Sequence, residues 1–144
     1  MVTQDVFAWP VRVYWEDTDA GGIVFYANYL KFFERARTEW LRHLGIGQQA
    51  LREQVGGMFV VTGTQLRYHR PARLDDLLSV TARVTESGRA SLTIEQVAWL
   101  TPPDGSAPIL LCEGSIRIGW VDAAQLRPQR IPAEVLTALT HGNR

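Results

Sequence analysis

The stretch that decides the fold is YWEDTDAGGIVFYANYLKFFERAR, which runs from Tyr14 to Arg37. It begins with an acidic loop, in which Asp17 and Asp19 precede a double glycine, and it continues into a strongly helical sequence. A carboxylate can act as a general base or as a nucleophile. Backbone N–H groups at a helix start can stabilise a developing oxyanion. The stretch therefore predicts a carboxylate and a helix N-terminus beside the same small molecule.

The composition of the chain is that of an ordinary globular protein. Its 144 residues, 46% hydrophobic and 21% charged, indicate one domain that spans residues 1–144. Lys+Arg and Asp+Glu number 15 each, so the formal net charge is zero. The chain has no basic excess to drive binding to a phosphate backbone, which argues against a nucleic-acid function. A local basic patch for a phosphorylated ligand remains compatible with this balance.

Cysteine and histidine are too sparse for a disulfide framework or a metal centre. Cys112 is the only cysteine, and His43, His69 and His141 are scattered along the chain without ligand spacing. We therefore expect no metal, and because the sequence has neither a phosphate-binding loop nor a dinucleotide fingerprint we expect no other cofactor. The N-terminus lacks the pattern of a signal peptide, and no apolar run reaches the ~18 residues of a membrane span. A cytoplasmic location is the resulting expectation.

Hydrophobic periodicity predicts an α+β fold, because several strands follow one another directly and this order favours an antiparallel sheet. The long helix carries a wider apolar surface than the ~100° stripe of a surface helix, so we expect the sheet to wrap around it. Pro10 indicates an edge strand or a bulge. The predicted elements are a strand Val6–Trp15, a long helix Ala27–Leu44, a short helix Gln48–Gln54, strands Met58–His69, Leu77–Thr85, Ala90–Leu100 and Ile109–Val121, and a C-terminal helix that begins at Pro132.

The two ends of the long helix carry different signals. Asn28 is a candidate N-cap, although a start near Phe25 also fits the sequence. Gly45 suits the left-handed position that follows a helix C-terminus. The stripe predicted to face the core comprises Leu30, Phe33, Arg37, Trp40, Leu41 and Leu44, and the residues that widen its apolar surface are Tyr29, Phe32 and Ala36. Glycines inside the predicted strands, at positions 63, 114 and 119, indicate bends or close approach.

The motifs resemble the signature of the hotdog-fold acyl-CoA thioesterases related to 4-hydroxybenzoyl-CoA thioesterase, and more closely that of the branch associated with the Tol-Pal system. The resemblance extends from about residue 10 to residue 132. It implies a five-stranded antiparallel sheet around the long helix, and homodimers, often paired into homotetramers, with active sites at the dimer interface. It also assigns the catalytic carboxylate to Asp19. The matching residues are Asp17-Thr18-Asp19, Gly22, Val24, Asn28-Tyr29, Glu34-Arg35-Ala36-Arg37 and the block Pro71-Ala72-Arg73-Leu74-Asp75-Asp76.

One position departs from the Tol-Pal branch. That branch usually has a histidine after the glycine–valine segment, whereas this chain has Tyr26, as the 4-hydroxybenzoyl-CoA enzymes do. A mechanism that needs an imidazole at this position is therefore not expected here. The branch and the preferred acyl group, whether short, long or aromatic, stay open.

The resulting hypothesis is an acyl-CoA thioesterase that releases a carboxylic acid and coenzyme A. Asp19 acts as general base for water or as nucleophile, and the backbone N–H of Tyr26 binds the thioester oxygen. Gly22 lets the substrate approach the backbone closely. The alternative for Asp19 is a turn residue. The other candidate substrate-binding residues are Tyr14, the Tyr26 side chain, Asn28, Arg73 and Arg89, each with a packing, capping or solvated alternative.

Neighbouring residues have less specific interpretations. Asp17 either hydrogen-bonds the loop backbone or tunes the pKa of a nearby base. Glu34 is either buried with a partner across the dimer or solvated, and Cys112 is expected to be an inert core thiol. Two rival functions remain: another hotdog enzyme such as an enoyl-CoA hydratase, and a non-enzymatic acyl-CoA-binding or envelope-associated protein.

Overall fold

Five antiparallel strands form one sheet in the computed structural model, which describes residues 6–141. The spatial order is β1-β3-β4-β5-β2, so β1 and β2 are the two edges. This arrangement confirms the predicted α+β class with a five-stranded antiparallel sheet. Pro10 lies in β1, which agrees with the prediction of an edge strand. The strands are β1 Phe7–Arg12, β2 Gly57–Tyr68, β3 Leu77–Ser87, β4 Ser91–Leu100 and β5 Ile109–Asp122.

Three α-helices accompany the sheet within residues 6–141: α1 Tyr29–His43, α2 Gln48–Gln54 and α3 Ala133–His141. Two single turns of 3₁₀-helix, Trp15–Asp17 and Tyr26–Asn28, precede α1. The first 3₁₀ turn explains why β1 ends at Arg12 rather than at Trp15 as predicted. The second shifts the start of α1 by two residues, so the helical path effectively begins at Tyr26.

The two ends of α1 differ in how well they were predicted. Asn28 precedes α1 but has helical backbone angles and no capping bond from its side chain, so it does not act as the N-cap. The alternative, a start near Phe25, agrees with the 3₁₀ turn that follows Phe25. The C-terminal prediction is confirmed, because Gly45 adopts a φ of 81°. Gly45 N–H donates to Arg42 O at 3.0 Å and Ile46 N–H donates to Leu41 O at 2.7 Å, which is the Schellman pattern.

The sheet packs around the apolar face of α1. Gly114 of β5 permits this contact, since a Cβ there would lie 2.9 Å from Cε2 of Phe33. Gly63 follows a register irregularity in β2, which confirms the predicted bend. Leu30 is 43% exposed, so the prediction that it faces the core is wrong. The buried residues of α1 are Tyr29, Phe32, Phe33, Ala36, Trp40 and Leu41.

Candidate active site

Asp19 begins a tight turn at the tip of a small hairpin-like loop. An antiparallel bridge between Thr18 and Val24 joins the two sides of this loop. Asp19 N–H donates to Ile23 O at 2.9 Å, and Gly22 N–H donates back to Asp19 O at 3.0 Å. Gly22 has a φ of 80°, a value that residues with a side chain rarely adopt. The turn therefore needs glycine at this position to hold Asp19 at the end of the loop.

The Asp19 carboxylate has one occupied and one available oxygen. Its Oδ1 accepts the N–H of Gly21 at 2.8 Å, which is the turn role that Asp commonly has in loops. Its Oδ2 has no hydrogen-bond partner among residues 6–141, and the residue is exposed. The turn bond orients the carboxylate, while the second oxygen can contact water or substrate.

Asp17 connects this loop to the start of the helix. Its side chain is only 4% exposed, and Oδ2 accepts the N–H of Tyr14 at 2.8 Å. Its main-chain oxygen accepts two bonds, from Phe25 N–H at 3.1 Å and from Asn28 Nδ2 at 2.8 Å. The interpretation of Asp17 as a residue that hydrogen-bonds the loop backbone is therefore confirmed. Through these bonds, Asp17 holds the segment that leads to Asp19 against the first helical turn.

Tyr26 lies in that first turn with an available backbone donor. Within the described chain no acceptor pairs with its N–H, as is normal for the first residues of a helix. Its carbonyl oxygen accepts a bond of 3.0 Å from the hydroxyl of Tyr68 on β2. The positive end of the helix dipole lies at the same place. This turn can therefore bind a developing negative charge.

Aromatic side chains surround the loop and the helix start. The ring of Tyr26 lies 4.9 Å from that of Phe25 and 6.2 Å from that of Tyr68, measured between centroids. Trp15 is 78% exposed. Such a surface suits a ligand with an apolar part next to the polar group that reacts.

The other predicted site residues are divided between this region and more distant places. Arg73 lies close to the loop, because it bridges to Ile23. Tyr14 is exposed, and it lines a groove together with Trp9, Arg12 and Asp17. Arg89 lies in the β3–β4 hairpin, where its main-chain oxygen accepts the N–H of Ile131 at 2.8 Å. The structure thus groups Asp19, Gly22, Tyr26, Asn28 and Arg73, whereas Arg89 forms no hydrogen bond with the loop within residues 6–141.

The remaining titratable candidates do not join the site. Glu34 is exposed, which corresponds to the solvated alternative within one subunit. Cys112 is fully buried, and burial raises the pKa of its thiol to about 12, in agreement with an inert core cysteine. Residues 6–141 contain no group of three or more His, Cys, Asp or Glu side chains that could hold a metal ion. None of the helices in that range is long and apolar enough to cross a membrane.

The sequence pattern does not reveal the roles of two polar residues, Tyr68 beside the candidate site and Gln96 inside the sheet. The sequence pattern places Tyr68 in a strand and gives no sign of its contact with Tyr26, which depends on tertiary structure. Gln96 is fully buried in β4 and accepts a bond of 2.8 Å from Arg37. A signal for Gln96 was present, since it occupies an inward position in the alternating pattern of β4 between the buried Ile94 and Ala98.

An antiparallel sheet wrapped around a long helix, with an aspartate turn beside the helix start, defines the hotdog class of thioesterase-like proteins. The chain belongs to the thioesterase superfamily, whose family model matches residues 21–106.

Individual relatives agree with this membership. The chain is 42% identical over 135 residues to the acyl-CoA thioesterase YbgC of Haemophilus influenzae. This match covers 94% of this chain and 95% of the relative. A probable thioesterase from Bartonella henselae is 31% identical with a TM-score of 0.79, and covers 88% of this chain and 99% of its own. A 4-hydroxybenzoyl-CoA thioesterase complexed with 4-hydroxybenzoyl-CoA has a TM-score of 0.86 at 19% identity, over 94% of this chain and 99% of its own, and supports the fold.

Proposed function

We propose that this protein hydrolyses acyl-CoA thioesters to a free carboxylic acid and coenzyme A. One observation carries the proposal: an exposed Asp19 carboxylate oxygen without a protein partner is tied, through Asp17, to a helix start whose Tyr26 N–H is also unpaired. The YbgC proteins of Haemophilus influenzae and Escherichia coli O6:H1, each 42% identical to this chain, carry the names acyl-CoA thioesterase and acyl-CoA thioester hydrolase. Their activity agrees with the chemistry that this pair of groups can perform.

The reaction needs few groups, because a thioester is an activated acyl compound with a good leaving group. Asp19 removes a proton from water as water attacks the thioester carbon, or its carboxylate attacks that carbon and forms a mixed anhydride that water then cleaves. The oxyanion in either case accepts a hydrogen bond from Tyr26 N–H. The C–S bond breaks, and the thiolate leaves as coenzyme A. A general base contributes about 10²–10⁴-fold and one oxyanion donor about 10²–10³-fold.

Substrate binding is assigned to residues around the same turn. Gly22 has no side chain, so the substrate can approach the backbone closely. Tyr26 and Tyr14 are assigned to provide aromatic surface, Asn28 to support the helix start, and Arg73 to contact a phosphate of coenzyme A. Arg89, on the β3–β4 hairpin, is assigned to a second phosphate contact. No redox cofactor or metal is assigned to this chemistry.

The assembly proposed is a homodimer or a homotetramer with active sites at the dimer interface. Support comes from β2, a free edge of twelve residues that carries exposed Val61 and Tyr68. Edge strands with exposed apolar groups are sites of strand pairing with another chain. We assign residues 1–144 to one catalytic domain, in the cytoplasm where acyl-CoA is made and used.

The test is release of free thiol from a panel of acyl-CoA compounds by the purified protein and by Asp19→Asn. The variant keeps an oxygen that can accept the Gly21 N–H, so we expect it to fold and assemble like wild type while its kcat falls about 10²–10⁴-fold.

Asp104→Asn is the matched control, since Asp104 Oδ1 accepts the N–H of Ser106 at 2.9 Å in an exposed turn of the same kind. Full turnover by Asp19→Asn would remove Asp19 from the mechanism. Binding of acyl-CoA by wild type without thiol release would replace the enzyme with a carrier or interaction protein.

A further inference from the structure

Tyr29 is the first residue of α1, and its hydroxyl lies inside the protein next to the candidate site. The residue is 2% exposed, and its hydroxyl oxygen accepts the main-chain N–H of Ala72 at 3.1 Å. Ala72 is fully buried, and within residues 6–141 this hydroxyl is the only acceptor of its N–H. A buried N–H without an acceptor is costly, because it has lost its hydrogen bonds to water. The hydroxyl of Tyr29 therefore fixes the segment around Ala72 relative to the start of α1.

The main chain of Ala72 is also bonded to the returning side of the loop Thr18–Val24, which is called the Asp19 loop below. The carbonyl oxygen of Ala72 accepts the N–H of Val24 at 2.9 Å. The residue after Ala72 forms an antiparallel bridge with Ile23. The last two residues of the Asp19 loop are thus attached to the segment that the buried hydroxyl fixes.

Ile23 transmits this attachment to Asp19. Its carbonyl oxygen accepts the N–H of Asp19 at 2.9 Å. Within the described residues the Asp19 carboxylate makes one hydrogen bond, and its donor, the N–H of Gly21, belongs to the same loop. The position of the carboxylate therefore depends on how the loop as a whole is held.

Two consecutive residues at the helix start hold the two sides of the Asp19 loop. Asn28 holds the incoming side, through its bond of 2.8 Å to the main-chain oxygen of Asp17. Tyr29 holds the returning side through the bonds described above. A loop attached on one side can pivot about that attachment, whereas a loop attached on both sides keeps one orientation. The second attachment thus helps to set the distance between the Asp19 carboxylate and the N–H of Tyr26.

The ring of Tyr29 is itself held firmly. It packs edge to face with Phe32 and with Tyr68, at centroid distances of 5.8 and 5.7 Å. Burial raises the pKa of the Tyr29 hydroxyl above its ordinary value, so the group stays neutral near neutral pH. A neutral oxygen on a fixed ring is a stable acceptor for the main chain that it binds.

We propose that Tyr29 is a positioning residue for the thioesterase reaction: its hydroxyl holds the returning side of the Asp19 loop and so places the Asp19 carboxylate at the distance from Tyr26 N–H that hydrolysis needs. This inference rests on the proposed thioesterase function and deepens it. Tyr29 acts through the main chain of Ala72 and does not contact the reacting atoms. Small displacements matter here, since a misplacement of about 1 Å can lower a rate about 10²-fold.

The first test is Tyr29→Phe, which removes one oxygen, keeps the ring and leaves the N–H of Ala72 without its acceptor. With an acyl-CoA that wild type hydrolyses, we expect kcat to fall about tenfold while KM stays within about twofold of wild type. The thermal midpoint should fall by a few degrees. Incorporation of 4-fluorophenylalanine at position 29 fills the space of the oxygen with a poor acceptor, and it should lower kcat equally. This second variant keeps the test decisive if Tyr29→Phe does not fold.

Thr81→Val is the matched control for the loss of stability. Oγ1 of Thr81 accepts the main-chain N–H of Val97 at 3.0 Å, a bond of the same kind between β3 and β4. The control should lower the thermal midpoint in a similar way and keep the kcat of wild type. Equal losses of kcat in Thr81→Val and Tyr29→Phe would show that kcat follows stability, and they would overturn the inference.

A double-mutant cycle tests whether Tyr29 acts through Asp19. When Tyr29→Phe is added to Asp19→Asn, the carboxylate to be positioned is absent, so the residual kcat should change by less than about twofold. A further tenfold loss, about the size expected in the wild-type background, would assign the effect of Tyr29 to another part of the site and contradict the proposal.

The outcomes separate this inference from the proposed function. Wild-type kcat for Tyr29→Phe overturns the inference and leaves the thioesterase function intact. Absence of thiol release by wild type from every acyl-CoA overturns the proposed function instead. Amide hydrogen exchange then decides the attachment separately: faster exchange at Val24 and Asp19 in Tyr29→Phe than in wild type supports it, and equal exchange contradicts it.

Discussion

The side-chain amide of Asn28 donates a hydrogen bond of 2.8 Å to the main-chain oxygen of Asp17, eleven residues earlier in the chain. The same oxygen accepts the N–H of Phe25 at 3.1 Å. Because of these two bonds, the loop that carries Asp19 and the first helical turn have a fixed relative position. The bond from Asn28 thus links the two groups that the proposed reaction needs.

Asn28→Asp should uncouple the loop from the helix. The substitution replaces a donor with an acceptor that faces the Asp17 oxygen, so the free energy of unfolding should fall by about 1–3 kcal/mol and kcat by about tenfold. Asn28→Ala removes the bond without adding repulsion, and we expect a smaller loss of about 0.5–1.5 kcal/mol. Urea unfolding and steady-state kinetics check both values. Equal stability of Asn28→Asp and wild type would contradict a role for this bond.

Tyr68→Phe tests the support of the oxyanion donor. Its hydroxyl holds the carbonyl of Tyr26 from outside the helix, and the bond is exposed. We expect kcat to fall several-fold, while the free energy of unfolding stays within about 0.5 kcal/mol of wild type. Thr64→Val removes from the same strand a hydroxyl that has no hydrogen-bond partner within residues 6–141, and it should leave both quantities unchanged. Wild-type kinetics for Tyr68→Phe would show that the helix start needs no such support.

Gly57→Ala and Gly63→Ala form a matched pair on β2. A Cβ at Gly57 would lie 2.2 Å from Cζ2 of Trp120, whereas one at Gly63 meets its nearest neighbour, Cβ of Arg117, at 3.9 Å. The indole cannot move easily, since Trp120 is 2% exposed and packs against Phe59. Gly57→Ala should cost about 1–3 kcal/mol or more, and Gly63→Ala should stay near wild type. Thermal unfolding distinguishes them; similar midpoints would contradict the close packing at Gly57.

Cys112 should make stability depend on alkaline pH. Burial raises the pKa of its thiol from 9.0 to about 12 in the folded protein. Between these two values the unfolded chain releases the proton and the folded chain keeps it, so stability falls as the pH rises through this window. Unfolding experiments on wild type and Cys112→Ala between pH 8 and pH 11 should show a shallower decline for the variant, and parallel curves would contradict this. Thiol-directed alkylation of native protein at about pH 8 should be negligible.

Local rules predicted the features that depend on neighbours in sequence. The left-handed φ of Gly45 and the bounds of Gln48–Gln54 follow from glycine geometry and helical pattern alone, and the structure confirms both. The antiparallel sheet follows from the succession of strands. These predictions succeed because the determining interactions lie within a few residues.

Features that depend on distant partners were not predictable in the same way. Asn28 has a high preference for the N-cap, but the carbonyl of Asp17 competes for its side chain and a 3₁₀ turn precedes the helix. Leu30 fits the apolar pattern of α1, yet the sheet leaves that side of the helix uncovered. Tyr68 meets Tyr26 only in the folded chain, because the two residues are 42 positions apart in the sequence. The roles of Asp19, Tyr26 and Arg73 remain predictions, now with a geometry that agrees with them.

Pro10 has a consequence for how many copies of the chain can join through their sheets. Its nitrogen carries no hydrogen, so β1 lacks one donor for an added strand, whereas β2 keeps its full set. A sheet with two edge strands that can both pair would allow copies to add at each edge without limit, as in fibrils. Because only one edge of this sheet has all its donors, sheet extension stops after one partner has paired, which protects the chain from open-ended polymerisation.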